Sequence, residues 1–285
     1  MNYSDYSYVF WFEEDFDPVP STQWMQNYWW HSVTLSVLYA LSIWLGQRLM
    51  ATRPAFNLKL PLTLWNASLA IFSIAGSARM SPEFFYALFG RGFTYSMCSC
   101  SYAMAVTGFW TQAFALSKVV EFGDTAFIVL RKRPLIFLHY YHHVTVLMFT
   151  WHAYKDHTAA GRWFIWMNYS VHAIMYTYYT LRSLGFNKMP KFVPMIITTL
   201  QLSQMFMGVF IAIRSFIMQK VWGQTCQQTM DNLYFSFFIY ATYALLFAHY
   251  FYRAYLKRGP RRAPPTDLKT DPDTLAAANH KIKSQ

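Results

Sequence analysis

Charged residues are scarce in this chain, and their scarcity excludes an ordinary soluble protein. Asp, Glu, Lys and Arg make up 13% of its 285 residues, whereas a typical soluble domain carries about 25%. Hydrophobic residues account for 55% and aromatic residues for 20%, an excess typical of membrane proteins with aromatic belts at the bilayer interfaces. The composition therefore predicts an all-α integral membrane protein.

The sequence also lacks a basic nucleic-acid-binding face and a cleavable signal peptide. The net charge is +11, but Lys and Arg are dispersed between hydrophobic runs, so no basic face indicates a nucleic-acid partner. Residues 1–20 are acidic and lack the basic region that begins a cleavable signal peptide. We therefore expect the first apolar stretch to remain in the protein as a helix.

Seven apolar segments are long enough to cross a bilayer, which needs about 20 helical residues. They are residues 31–50, 60–79, 109–130, 135–154, 163–182, 192–214 and 233–254. A loop over 80–108 separates the second from the third, and the chain shows no internal repeat and no separate soluble domain. We expect an N-terminal segment over 1–30, a membrane domain over 31–258 and a tail over 259–285.

Basic residues are unequally divided between the two sides of this predicted bundle. Seventeen of the 24 Lys and Arg residues fall in the loops and tail of one side, six fall on the other, and Lys118 lies within a span. Because basic loops stay in the cytosol, we expect a cytosolic C-terminus and a lumenal N-terminus.

Two short signals agree with this orientation and with a multi-pass protein of the endoplasmic reticulum membrane. Lys283 and Lys281 are the third and fifth residues from the end, as in the dilysine signal that retrieves proteins to that compartment. Asn2 begins a glycosylation sequon in the predicted lumenal segment.

Cysteine is nearly absent: Cys98, Cys100 and Cys226 are the complete set. All three fall in loops predicted to be lumenal, where disulfides form, so we expect Cys226 to bond to Cys98 or to Cys100. No cysteine remains within the membrane or on the cytosolic side, and this excludes a cysteine nucleophile there.

Three histidines occupy the middle of the fourth predicted span. His139, His142 and His143 follow the pattern H-x-x-H-H, and the spacings of three and four residues place them on one helical face. Ionisable groups at this depth are expensive to bury and are commonly functional. The cluster therefore favours a reactive site over a packed polar patch.

Further polar residues lie in the neighbouring spans. In the third span, Lys118, Glu121 and Thr125 share one stripe with Asp124 at its edge, and Lys118 and Glu121 are spaced to form an ion pair. The fifth span carries Asn168, His172 and Tyr176 at intervals of four, and the sixth carries Gln201 and Gln204. The two glutamines fit either interhelical hydrogen bonds or ligand contacts.

These spans are predicted to enclose a polar chamber. Its cytosolic mouth would be rimmed by Arg131, Lys132, Arg133, Arg253, Lys257 and Arg258. A basic rim suits a polyanionic head, and an aromatic and Met-rich interior suits an apolar tail. An amphiphile such as an acyl-CoA satisfies both conditions.

Four motifs in order give the chain a family resemblance. They are K-x-x-E-x-x-D-T at Lys118–Thr125, LHYYHHV at Leu138–Val144, N-x-x-x-H-x-x-M-Y at Asn168–Tyr176 and T-x-x-Q-x-x-Q at Thr198–Gln204. Over residues 25–258 the chain resembles the very-long-chain fatty acid elongases, which are membrane-bound 3-oxoacyl-CoA synthases. The amino-acid sequence around the histidines is most similar to that of the subgroup that extends saturated and monounsaturated chains.

The resemblance implies a decarboxylative condensation of an acyl-CoA with malonyl-CoA, with no cofactor and no metal. His142 would accept the acyl group in a ping-pong scheme, His172 would act as acid/base or oxyanion donor, and His139 and His143 would position the reacting groups or help decarboxylation. The residues that would orient the thioester and pantetheine are Lys118, Asp124, Asn168, Tyr176 and Gln204. Neutral imidazole is nucleophilic near pH 7, which fits this chemistry.

The implied partners, beyond the two substrates, are the 3-oxoacyl-CoA reductase, the 3-hydroxyacyl-CoA dehydratase and the enoyl-CoA reductase of the elongation cycle, and a second copy of the chain. Two other classes compete with this interpretation. Di-iron desaturases and hydroxylases also use H-x-x-H-H, but they carry several such boxes, and only one is present here. A seven-helix receptor or transporter does not require grouped histidines, and the chain shows no paired halves.

Overall fold

The structure is a computed structural model that describes residues 5–186, 188–190 and 192–257. Within these ranges the regular structure is entirely helical. The α-helices are α1 (Trp11–Glu14), α2 (Pro18–Tyr28), α3 (His31–Ala51), α4 (Lys59–Phe85), α5 (Phe93–Cys98), α6 (Ala105–Val120), α7 (Gly123–Leu130), α8 (Phe137–Lys155), α9 (Gly161–Leu184), α10 (Phe192–Lys220) and α11 (Met230–Phe251). The predicted helical class is therefore confirmed.

Four helical segments are long and apolar enough to cross a membrane. They are His31–Ala51, Lys59–Gly90, Phe192–Lys220 and Met230–Leu256, and the second and fourth include the π-helical turns Tyr86–Gly90 and Tyr252–Leu256 that extend α4 and α11. The exposed residues of α3 include Leu38, Leu41 and Trp44, as expected of a helix that faces lipid. The chain is a multi-pass membrane protein.

The prediction of the third span as a single helix is wrong, because a 3₁₀ turn separates α6 from α7. Here the amides of Phe122, Asp124 and Thr125 each bond to the carbonyl three residues earlier, at 3.1–3.2 Å, which is 3₁₀ geometry. The indole of Trp65 from α4 occupies the space that a Cβ at position 123 would fill, so Gly123 permits this close approach.

The predicted loop over 80–108 is also wrong, because α4 continues well past residue 79 and is followed by α5 and a 3₁₀ turn at Ser101–Ala103. A fully buried ion pair anchors this region: Arg162 Nη2 lies 2.7 Å from Glu83 Oε1. The same guanidinium donates through Nη1 to the carbonyls of Ser96 and Ser99 at 2.7 and 2.9 Å. Arg162 lies between the predicted spans 135–154 and 163–182, where a loop is expected, but it belongs to the core.

A disulfide joins Cys98 of α5 to Cys226 in the loop before α11, and Cys100 is a free cysteine. We call this end of the helix bundle the disulfide end. At the opposite end, which we call the Lys132 end, Lys132 Nζ donates to the carbonyl of Arg53 at 3.0 Å. The predicted rim residue Lys132 is thus bonded to the loop after α3.

Part of the N-terminal segment packs onto the bundle at the disulfide end. Glu13 of α1 is fully buried and accepts hydrogen bonds from Arg79 Nε at 2.8 Å and Trp110 Nε1 at 2.7 Å. Burial by itself would raise the pKa of the Glu13 carboxyl, but these hydrogen bonds and the Arg79 charge hold it below its ordinary value. The segment therefore has a charge-dependent attachment to α4 and α6.

Candidate active site

The three histidines of α8 occupy adjoining positions but face different neighbours. The ring of His143 lies 4.5 Å from that of His139 and 5.7 Å from that of His142. His139 Nε2 is 2.9 Å from Thr125 Oγ1 of α7, whereas the ring of His142 lies 4.9 Å from Tyr243 of α11. The H-x-x-H-H motif therefore faces α7 through His139 and α11 through His142.

A buried network connects α6 to α9. Lys118 Nζ donates to Glu121 Oε1 and to Asn168 Oδ1, both at 2.8 Å. It also lies 4.1 Å from the centre of the Phe114 ring. The side chains of Lys118, Glu121 and Asn168 are 1–6% exposed, so the ion pair is shielded from water.

This network fixes the protonation pattern of His172. The Lys118 ammonium only donates, so the amide oxygen of Asn168 must face it. The amide nitrogen Nδ2 of Asn168 then faces His172 Nε2 at 3.3 Å and donates to it. A neutral His172 consequently carries its proton on Nδ1, where it is a hydrogen-bond donor.

Asp124 is held by two hydrogen-bond donors. Trp65 Nε1 donates to Oδ1 at 2.6 Å, and the hydroxyl of Tyr176 donates to Oδ2 at 2.7 Å. The ring of Tyr176 also lies 5.3 Å from that of His172 in an edge-to-face contact. Thus Asp124 and Tyr176, both predicted from sequence, meet beside His172.

The chain matches the family model described as ELO, the GNS1/SUR4 family, over residues 24–263. The chain belongs to this family. It is 56% identical over 269 residues to "Putative fatty acid elongase 3" of Caenorhabditis elegans, covering 94% of this chain and 82% of the relative. It is 46% identical over 262 residues to "Very long chain fatty acid elongase 6" of Drosophila melanogaster, covering 91% and 83%. With "Very long chain fatty acid elongase 3" of Homo sapiens it shares 46% identity over 233 residues, covering 81% and 85%.

The protein is therefore a fatty acid elongase, a 3-oxoacyl-CoA synthase that extends acyl chains within a membrane. This result confirms the resemblance carried by the four motifs. The desaturase, receptor and transporter alternatives are replaced by it.

Some predicted residues of this elongase do not join the histidine network. Gln204 is buried on α10, and no hydrogen bond links it to the histidines within the described ranges. Gln201 Nε2 instead contacts Met175 Sδ at 3.2 Å. Arg258, Asn2, Lys281 and Lys283 lie outside the described residues.

Other residues of the site carried no sequence signal. Tyr39, Trp65 and Tyr243 come from three different helices and bond to Thr125, Asp124 and the carbonyl of His142, respectively. Each is a single aromatic residue in an apolar span, with no short-range spacing to any motif. Only the three-dimensional contact identifies them.

Three buried atoms in the elongase chamber have no hydrogen-bond partner among the described residues. They are Glu121 Oε2, His142 Nδ1 and His143 Nδ1. An unsatisfied buried polar atom costs about 1–3 kcal/mol, so these atoms carry unused hydrogen-bonding capacity beside the histidines. These three atoms are free to bond to a polar ligand.

Proposed function

We propose that the elongase carries the acyl chain transiently on His142 and condenses it there with malonyl-CoA. The observation that supports this is the unpartnered Nδ1 of His142, together with the unpartnered Nδ1 of His143 and Oε2 of Glu121. A cysteine nucleophile is out of reach, because Cys98 and Cys226 are bonded to each other and Cys100 lies beside them at the disulfide end. Imidazole is the remaining nucleophile of suitable reactivity.

The reaction has two steps. In the first, an imidazole nitrogen of His142 attacks the thioester carbonyl of the acyl-CoA, the C–S bond breaks, the N–H proton of the imidazole passes to the CoA sulfur, and CoA leaves as the thiol to give an acyl-imidazole. In the second, malonyl-CoA loses CO2, and the resulting enolate carbon attacks the acyl carbonyl. The C–N bond then breaks, and His142 takes up one proton from solvent, which restores the neutral imidazole and yields the 3-oxoacyl-CoA.

The remaining site residues stabilise and orient these species. The Nδ1–H group of His172 donates to the oxyanion that forms on the acyl carbonyl, because Asn168 already occupies Nε2. His139 and His143 position the malonyl group and favour its decarboxylation. Lys118, Asn168, Asp124 and Tyr176 orient the thioester through their bonds to one another and to His172, and Gln204 contributes an amide to the pantetheine.

We propose long-chain saturated or monounsaturated acyl-CoAs as substrates. Met and aromatic side chains dominate the apolar core near the histidines, among them Phe149, Phe164, Met205 and Tyr240, and Met adapts to an apolar chain of irregular shape. Two of the relatives are named very long chain fatty acid elongases 6 and 3, which supports the choice of acyl chain. The two CoA thioesters are the only small molecules that the reaction requires.

We propose a seven-span topology with a lumenal N-terminus and a cytosolic C-terminus in the endoplasmic reticulum membrane. The seven helices of 16 or more residues among the described ranges, α3, α4, α6, α8, α9, α10 and α11, support it, as does the distribution of basic residues. The N-terminal segment is glycosylated at Asn2, and the tail after residue 258 carries the retrieval signal Lys281 and Lys283. The reductase, dehydratase and enoyl reductase of the cycle, and a second copy of the chain, are the proposed partners.

Incubation of the purified elongase with acyl-CoA alone, without malonyl-CoA, tests whether His142 is the nucleophile. Purified elongase should release about one CoA per chain and gain the mass of the acyl group, and addition of labelled malonyl-CoA should then give labelled 3-oxoacyl-CoA. Saturated acyl-CoAs of graded length would define the preferred chain in the same assay.

His142→Ala should abolish CoA release, adduct and product, whereas His31→Ala, which removes an imidazole at the start of α3, should leave all three. If wild type forms 3-oxoacyl-CoA but the covalent acyl adduct persists in His142→Ala, the assignment of His142 as the nucleophile is wrong. Wild-type protein that binds acyl-CoA yet forms no 3-oxoacyl-CoA at any chain length would overturn the mechanism.

A further inference from the structure

Helix α3 contributes a tyrosine to the interior, in addition to the buried serines Ser32 and Ser36. Tyr39 is 5% exposed, although most of the helix faces outward. Its hydroxyl lies 2.6 Å from Thr125 Oγ1 on α7, and Thr125 Oγ1 lies 2.9 Å from His139 Nε2 on α8. A continuous chain of hydrogen bonds therefore runs from α3 to the histidine cluster.

The Tyr39 ring is held independently of its hydroxyl. It stacks on Phe122 with 4.1 Å between ring centres and an interplanar angle of 18°. Phe122 lies at the break between α6 and α7, and its ring is 6.3 Å from that of His143. Removal of the hydroxyl alone should therefore leave the ring in place.

The direction of the chain follows from the hydrogen-bonding capacity of its members. The Thr125 hydroxyl has one proton, so it donates to His139 or to Tyr39 but not to both. A phenol is the more acidic hydroxyl and imidazole nitrogen the more basic acceptor, so the order Tyr39 to Thr125 to His139 strengthens each bond in turn. In this order His139 Nε2 accepts, and a neutral His139 carries its proton on Nδ1.

We propose that Tyr39 is a positioning residue for the condensation, acting through Thr125 to fix which nitrogen of His139 carries the proton. The inference rests on the proposed role of His139 in the reaction. We call the hydrogen-bond chain from Tyr39 through Thr125 to His139 the relay. Helix α3 supplies the first donor of this relay and therefore has a function beyond anchoring. Tyr39 itself does not contact the reacting atoms.

Single and double variants test the relay through its dependence on Thr125. Tyr39→Phe should lower kcat about tenfold, the effect of one lost hydrogen bond, with KM for the acyl-CoA little changed. Thr125→Val should lower kcat at least as much, and the double variant should be no slower than Thr125→Val. Thr125→Ser, which keeps the hydroxyl, should restore most of the rate.

Tyr154→Phe is the matched control. Tyr154 is also 5% exposed, and its hydroxyl lies 2.6 Å from Ser21 Oγ near the disulfide end, so this variant removes the same kind of bond and should leave kcat unchanged. An unchanged kcat in Tyr39→Phe, or effects that multiply in the double variant, would overturn the proposal. A fall in kcat of equal size in Tyr154→Phe would show that the loss is merely structural, and would overturn it as well.

A spectroscopic measurement separates this inference from the function on which it rests. Nitrogen-15 NMR of histidine-labelled protein, assigned with His139→Gln, reports the tautomer of His139 directly. Wild type should show the proton on Nδ1, and Tyr39→Phe should show a mixture of tautomers. An unaltered tautomer would reject the relay even if His139→Ala abolishes condensation, whereas full activity in His139→Ala would reject the proposed role of His139 instead.

Discussion

Lys118 Nζ lies 2.8 Å from Glu121 Oε1, and both side chains are shielded from water between α6 and α9. A buried pair of this kind is weak evidence for stability, but the loss of one partner leaves an uncompensated charge. The same lysine also sets the amide orientation of Asn168 and hence the tautomer of His172. Stability and catalysis thus depend on different bonds of one ammonium group.

Removal of one partner should therefore be worse for folding than removal of both. Lys118→Met or Glu121→Gln alone should lower the free energy of unfolding by about 3 kcal/mol or more, seen as a lower thermal midpoint in detergent. The combined variant Lys118→Met with Glu121→Gln should recover much of that stability. It should remain inactive in condensation, because Asn168 has lost its donor. A double variant less stable than both single ones would contradict this account.

Arg162 should not be replaceable by lysine. Its guanidinium donates to both oxygens of Glu83 and to the carbonyls of Ser96 and Ser99, which an ammonium cannot reproduce. We expect Arg162→Lys to lower stability by about 3 kcal/mol, measured as the thermal midpoint. Arg91→Lys, an exposed substitution near the same end, is the control and should have little effect. Equal midpoints for the two variants would show that the fork geometry is unimportant.

The attachment of α1 should weaken in acid. Because the pKa of Glu13 in the folded state lies below its ordinary value of 4.5, the carboxylate contributes stability at and above that pH. This contribution is lost as the pH falls through the folded pKa. The thermal midpoints of wild type and Glu13→Gln should therefore differ at neutral pH and converge in acid. Glu14→Gln, at an exposed neighbour, should parallel wild type, and a Glu13→Gln difference that persists in acid would refute the assignment.

The free cysteine should be dispensable and the bonded pair should not. Cys100→Ser should retain the bond between Cys98 and Cys226, as shown by peptide mass analysis without reduction, and should keep the wild-type midpoint. Cys226→Ser should lower stability by roughly 2–5 kcal/mol. A Cys98→Ser variant that stays fully oxidised through Cys100 would show that the loop accepts either pairing.

Local spacing carried the parts of the site that lie within single helices. H-x-x-H-H and the interval of four between Asn168 and His172 specify shared helical faces, and the structure brings Asn168 into hydrogen-bonding distance of His172. Elongase membership likewise followed from motifs, because each motif is a run of neighbouring residues.

Contacts between residues distant in sequence leave no short-range pattern. Near the break after Val120, the indole of Trp65, which is remote in sequence, packs against Gly123. The burial of Arg162 depends on Glu83, and both occur where charge and loop length alone predict exposure. The sequence does not distinguish Tyr39 from other aromatic residues, and only the packing of α3 against α7 and α8 shows that it bonds to the site. Such pairings are decided by tertiary packing, which overrides local pattern.

The bond between Cys98 and Cys226 also constrains the assembly of the chain. A covalent link between two loops cannot cross a bilayer, so the 128 residues of separation between them must traverse the membrane an even number of times. The second cysteine follows α10, so the bond closes only after α6 to α10 have been synthesised and both loops have reached the oxidising compartment. If the chain crossed the membrane one time fewer or one time more, the two cysteines would lie on opposite sides and remain free thiols. Formation of the disulfide is therefore a test of correct membrane insertion.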